Sequence, residues 1–170
     1  MTTAFRFENT FRAPSVQLML AAYFDPDHLA AQDALAKLGD RTVVEDHEDD
    51  HQRKTTWRVQ SLEPLPLFVR PFVSGGRLRY LETMTWRKAD DAIDLVVTPE
   101  ILGGRVTIQA LYQLASAGEG RVHRTYSGSV TVAVKLVSGK IERAILEKFQ
   151  QSMPIMTGCT QTWLDKTYGA

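Results

Sequence analysis

Between Ser138 and Thr167, apolar side chains return at steps of three and four: Ile141, Ile145, Phe149, Met153, Met156, Cys159 and Trp163. That spacing lays one apolar stripe along a single long helix, with Glu142, Arg143, Glu147, Lys148, Gln151 and Asp165 mostly off it. Ser138 or Gly139 is placed to cap this helix, and Glu142 in its first turn opposes the helix dipole favourably. Pro154 lies inside the stripe and predicts a kink between Gln150 and Pro154. Everything upstream reads as short strands and small helices, too thin to form a core without a long apolar rod to close on.

Upstream, the period is mostly two. Phe5, Phe7 and Phe11 alternate with Arg6, Glu8, Thr10 and Arg12, which marks a half-buried strand. Pro14 opens a short helix carrying Val16, Leu18, Met19, Leu20 and Tyr23. Asp25-Pro26 ends it and starts a second, with Leu29, Ala30, Ala34, Leu35 and Leu38, which Gly39 can close. Strands follow around Thr42-Val43-Val44 and Thr55-Thr56-Trp57-Arg58-Val59, with the polar run from Glu45 to His51 as a hairpin tip. Three prolines between Leu62 and Val73 forbid a central strand. This apolar stretch is expected to be a packed connector or one short helical turn from Leu67 onward. An apolar loop of that length is uncommon unless it covers something. Arg79 to Arg87, Ala92 to Thr98, Arg105 to Leu114 and Arg121 to Leu136 read as further strands. Gly128 inside the last predicts a bulge or a sharp bend.

Strands joined by short turns make an antiparallel meander, so the fold class is α+β. Such a sheet needs its apolar face covered, and only the terminal helix is long enough to do it. The 170 residues fit one domain that needs no disulfide or metal staple. The single cysteine, Cys159, excludes an intramolecular disulfide and suits a reducing compartment. Twenty basic and twenty acidic residues balance, so nothing draws the chain to nucleic acid or to an anionic membrane. Met1 to Arg12 lack the apolar core of a signal peptide, and no window approaches the ~20 apolar residues of a membrane span. A cytoplasmic location is the expectation.

This element order resembles the helix-grip fold of the START-domain and birch-pollen-allergen-like superfamily, SRPBCC. There a curved antiparallel sheet of about seven strands wraps a long C-terminal helix, with two short helices after the first strand. Three runs look like an uncharacterised bacterial family within it: Pro64-Leu65-Pro66-Leu67-Phe68-Val69-Arg70-Pro71-Phe72-Val73, Glu82-Thr83-Met84-Thr85-Trp86, and Val132-Ala133-Val134-Lys135-Leu136-Val137-Ser138-Gly139-Lys140-Ile141-Glu142. The likeness covers nearly the whole chain in element order. It implies a cavity between sheet and helix that takes a hydrophobic small molecule or lipid. The superfamily also holds polyketide cyclases and co-chaperones and has no catalytic consensus. The resemblance therefore carries over no catalytic residue and implies no cofactor.

On the helix, Phe149, Met153 and Met156 are expected to face Tyr80, Met84, Ile108, Tyr112 and Tyr126 on the sheet. Methionine deforms and tyrosine joins an apolar body to a polar tip, which suits an adaptable pocket; the same residues would equally fill a solid core. Glu82 and Arg124 share these faces in the alternation. Charges so placed need each other, a ligand's polar group, or a strand end open to water. Leu67, Phe68 and Phe72 would form a lid or mouth. His47 and His51 flank Glu48, Asp49 and Asp50, but on a hairpin they do not share a face, and no metal site is expected. Cys159 on the stripe reads as a packed thiol, and Gly75-Gly76 and Gly103-Gly104 lack the surroundings of a phosphate loop. Three functions remain. A non-catalytic binder is favoured, because no cluster of catalytic groups stands out. A cyclase- or dehydratase-like enzyme would have Glu82, Arg124 and the tyrosines to work with. A protein-interaction module, its partner unspecified, would expose an apolar patch around Phe68 and Phe72.

Overall fold

In the computed structural model, which describes residues 2–134 and 138–169, the alternating segments form strands β1 (Thr2–Arg12), β2 (Leu38–Glu48), β3 (Gln52–Ser61), β4 (Arg79–Arg87), β5 (Ala92–Pro99), β6 (Val106–Ser116) and β7 (Arg121–Val132). They pair as one antiparallel sheet in the order β1-β7-β6-β5-β4-β3-β2, so the first strand lies beside the last. The helices are α1 (Val16–Ala22), α2 (Pro26–Ala36) and α3 (Ser138–Tyr168). This is the helix-grip arrangement. The end of the last strand, expected at Leu136, falls with Lys135 and Val137 outside the described residues.

The short helices start where their caps place them. Ser15 accepts from the Leu18 N–H at the head of α1, and Asp25 accepts from the Asp27 and His28 N–H groups at the head of α2, with Pro26 in its first turn. The end of α2 differs from expectation. Lys37, not Gly39, takes the left-handed cap conformation (φ 54°), and Gly39 lies in β2. β2 also reaches further than expected, through Glu48, which shortens the polar hairpin tip.

Gly128 marks no bulge. β7 keeps unbroken register on both sides, Gly128 facing Phe5 and Ala110, whereas the register shifts lie in β2, at Gly39/Thr42 and Val43/Glu45. The glycine is required by close approach. A Cβ there would sit 2.2 Å from the Gln109 carbonyl oxygen and 2.7 Å from Ala110 Cα.

The core covers the concave face in two parts. Phe11, Met19, Leu20, Ile93, Val122 and Leu164 belong to one; Leu65, Val69, Ile101, Val106, Val130, Val132 and Ile141 belong to the other. The connector is thus anchored by Leu65 and Val69 and makes a 3-10 turn at Arg70–Phe72. α3 is assigned as one helix from Ser138 to Tyr168, although Pro154 removes the hydrogen bond that would reach the Gln150 carbonyl. It packs against β1, β7 and α2. Glu142, read as mostly off the stripe, is buried and accepts from Thr3 Oγ1 at 2.6 Å.

His28 ties α2 to α3. Its ring is fully buried, with Nδ1 2.8 Å from the Ala22 carbonyl oxygen and Nε2 3.1 Å from Thr160 Oγ1. Burial lowers its pKa, against the opposing pull of the Ala22 carbonyl. On acidification the unfolded chain therefore takes up this proton first. The stabilisation is complete above the ordinary histidine value of about 6.5 and is lost as pH falls through the lower folded value. Urea unfolding at a series of pH values should show the native protein losing stability faster than His28→Gln between about pH 6.5 and 5. Equal slopes would remove His28 as the cause.

Candidate functional site

Strand register decides which side chains meet inside the grip. Residues opposite one another in the ladder share a face. Phe7, Tyr126, Tyr112, Ile93 and Trp86 make one row across β1, β7, β6, β5 and β4. Val130, Ile108, Val97, Glu82 and Trp57 make another. Asn9, Arg124 and Leu114 make a third. Tyr80, Glu82, Met84, Ile108, Tyr112, Arg124 and Tyr126 thus all lie on the concave side.

The tyrosines are stacked. Ring centroids of Tyr112 and Tyr126 are 4.4 Å apart at 15°, and Tyr23 lies 5.0 Å from Tyr112 at 21°. Phe7 extends the row at 6.3 Å and 21° from Tyr126. From α3, Phe149 meets the Phe5 ring edge-on at 5.3 Å. Burial raises the pKa of Tyr80, Tyr112 and Tyr126, so all three phenols stay protonated across the physiological range.

α3 is sealed at its ends and not in its middle. Ser138, Ile141 and Glu142 are buried at one end, and Cys159, Thr160 and Leu164 at the other. Between 143 and 158 no residue is fully buried. Phe149, Met153 and Met156 are only half-buried, as are Tyr80, Glu82, Val97 and Tyr112 on the sheet.

Two arginines enter this interior. Arg124, on β7, donates from Nη1 to Tyr23 Oη at 2.9 Å and from Nη2 to Asn9 Oδ1 at 2.9 Å and Thr157 Oγ1 at 3.2 Å, with Met153 Sδ at 3.7 Å. Arg41, on β2, donates to both oxygens of Asp33 (2.7 and 2.9 Å) and to Glu82 Oε1 at 3.0 Å, above the Trp57 ring at 5.5 Å. Burial works against the Arg41 charge, and Asp33 and Glu82 more than offset it, which raises its pKa. Glu82 and Arg124 are therefore both inside, but Glu82 is held by Arg41. Arg41, Asp33, Tyr23, Asn9 and Thr157 were not singled out from the sequence. Each reaches the site through a tertiary contact with no local pattern.

Leu67, Phe68 and Phe72 are exposed, Leu67 to 76 %, while their neighbours Leu65 and Val69 face inward. A cleft of about 330 Å³ lies between α2 and β2–β3, bordered by Phe24, Leu29, Asp33, Arg41, Val43 and Trp57 among others. A second, of about 450 Å³, lies where the start of α1 meets β6 and β7, with a polar rim of Ser15, Gln17, Asp91 and Arg121. Neither is lined by the residues under the middle of α3.

The fold has solved counterparts. An aromatase/cyclase, ZhuI, from Streptomyces sp. R1128 matches with a TM-score of 0.67 at 11% identity, over 98% of this chain and 95% of that one. Norcoclaurine synthase from Thalictrum flavum, solved in complex with dopamine and hydroxybenzaldehyde, matches at 0.59 and 13% identity, over 98% and 88%. A START superfamily protein from Mycobacterium smegmatis matches at 0.58 and 7% identity, over 96% and 97%. These are START/SRPBCC-type proteins, and at such identities the likeness establishes the fold. No helix is long and apolar enough to cross a membrane among the described residues. No curated protein matches the sequence. A family model does match residues 7–164, and the chain belongs to that family, described as "Protein of unknown function (DUF2505)".

Proposed function

We propose that the protein binds a hydrophobic small molecule or lipid, without chemical conversion, between the sheet and the middle turns of α3. The observation that carries this reading is the burial profile of the helix, sealed at both ends and without one fully buried residue from 143 to 158. A helix packed only to complete a core would be buried along its whole inner stripe. The residues on these turns and on the sheet below are the pliable and amphipathic kinds: Met153 and Met156 with Phe149 on the helix, and Met84, Tyr112 and Tyr126 with Ile108 and Tyr80 on the sheet. The connector bearing Leu67, Phe68 and Phe72 belongs to the same apolar cluster as Phe149 and would supply the mouth. An acid–base enzyme is less well supported. Burial raises the pKa of the interior phenols, which makes them poor general acids at neutral pH, and Glu82 is bonded to Arg41.

The test is fluorescence titration with phenylnaphthylamine, a neutral apolar probe. It should bind at one site per chain. Met153→Trp, which fills the space beneath the helix, should weaken binding about tenfold, equivalent to ~1.4 kcal/mol, with little change in melting temperature. Undiminished binding in a folded Met153→Trp protein would move the site elsewhere.

A further inference from the structure

Arg124 is 2 % exposed, and a guanidinium is charged at any accessible pH. A buried cation ordinarily has a carboxylate beside it. Among the described residues no ion pair includes Arg124. Its acceptors are all neutral: one phenol, one amide, one hydroxyl and one thioether. Its Nε–H is buried with no acceptor. The rings of Phe11 and Tyr112 lie 4.9 and 5.6 Å from its central carbon, which eases the charge without neutralising it. The buried carboxylates of Asp33 and Glu82 are both bonded to Arg41 and not to Arg124.

Position adds to chemistry. Nη2 reaches α3 at Met153 and Thr157, one turn apart, inside the stretch where no residue is fully buried. The 3.7 Å contact to Met153 Sδ is the weakest of the set, since a thioether is a poor acceptor on a flexible chain. Asn9 and Thr157 can take both Nη2 hydrogens without it, so the edge that carries the unpaired Nε–H is the one left to an incoming acceptor. A carboxylate is the planar partner such an edge fits best.

We propose that the ligand of this site is an amphipathic organic acid, whose anionic oxygens bind Arg124 while its apolar body lies along the tyrosine stack and the middle turns of α3. The inference rests on the binding function proposed above and narrows it to a ligand class. Charge-assisted hydrogen bonds are the stronger kind, so an anion gains from the guanidinium what a neutral ligand of the same shape does not.

A matched pair of probes tests it: anilinonaphthalene sulfonate, and phenylnaphthylamine, which has the same rings without the sulfonate. The native protein should bind the sulfonate about tenfold more tightly, as expected for a charged hydrogen bond of ~1.5 kcal/mol or more. In Arg124→Met the two affinities should fall within about twofold of each other, the charge having gone. Dodecanoate should displace the sulfonate at a concentration about tenfold lower than dodecanol needs; comparing dodecanoate with naphthoate then separates an alkyl acid from an aromatic one. Because Arg124→Met also loses the contacts to Tyr23, Asn9 and Thr157, its fold is checked by melting. The Nε–H resonance of Arg124 in the native protein gives a reading that needs no variant. It should shift with the sulfonate and not with phenylnaphthylamine. Equal affinities with a silent Nε–H would overturn the anion while leaving the binding site standing. Failure of both probes to bind would overturn both. A sulfonate preference that survives in folded Arg124→Met would place the anion on another residue and overturn the assignment to Arg124.

Discussion

Gly128→Ala should lower the unfolding free energy by about 3 kcal/mol, at the upper end of the usual overpacking range. The added methyl would lie 2.2 Å from the Gln109 carbonyl oxygen and 2.7 Å from Ala110 Cα. Both obstacles are backbone, so no side-chain rotation relieves the clash and β6 must move away from β7. These strands carry Tyr112, Arg124 and Tyr126, so the damage reaches the proposed site. Urea denaturation measures the effect. Gly158→Ala is the internal contrast. That residue sits in α3 with nothing within 4 Å of its absent Cβ, and alanine there should stabilise by roughly 0.5–1 kcal/mol through helix propensity. Similar outcomes for the two would remove close strand approach as the reason for Gly128.

Arg41→Met is the second large effect. Arg41, Asp33 and Glu82 side chains are only 14%, 12% and 14% exposed, so removing the cation leaves two carboxylates facing each other in a poorly solvated place. Breaking a buried ion pair from one side costs about 3 kcal/mol or more. In a protein of this size that corresponds to a fall in melting temperature of roughly 6–12 °C. The triple substitution Arg41→Met, Asp33→Asn and Glu82→Gln should recover most of the loss, because the penalty lies in the stranded charges. A triple variant as unstable as the single one would assign the role of Arg41 to packing on Trp57 instead.

What the sequence could reveal depended on whether an element kept its period. The stripe on α3 and the alternation in β4 and β7 are regular, and they put Glu82 and Arg124 on the faces of the tyrosines while leaving open whether each stands inside or at a strand end in water. The structure has Arg124 buried and the Glu82 side chain 14% exposed. β2 is not regular. Two register shifts interrupt it, so the side on which Arg41 stands cannot be read by counting, and its partners lie 8 and 41 residues away in the chain. Whether Glu82 and Arg124 pair with each other, meet a ligand's polar group or reach water stays open in the sequence for the same reason: alternation gives a face and not a neighbour. Tyr23 lies at the C-terminal cap of α1 and reaches Arg124 across 101 residues. Leu164 and Thr160 were missed on α3 because they turn away from the single stripe, on the part of the helix shared with α2, where Thr160 meets His28. Gly128 shows the limit of a glycine as a signal. It announced a special position, and only the geometry of β6 identified close approach in place of a bulge.

The central claim is that the middle of α3 covers a binding site that its ends do not. Five methionines make it directly measurable. Met84, Met153 and Met156 lie around the proposed site, whereas Met19 is fully buried in α1 and serves as the internal reference. Carbon-13 labelling of the methionine methyl groups, followed by NMR titration with phenylnaphthylamine, gives one signal per residue. The expected result is saturable movement of the Met84, Met153 and Met156 signals with Met19 unmoved. Binding that shifts Met19 while leaving Met153 and Met156 in place, or no binding at all, would contradict the account.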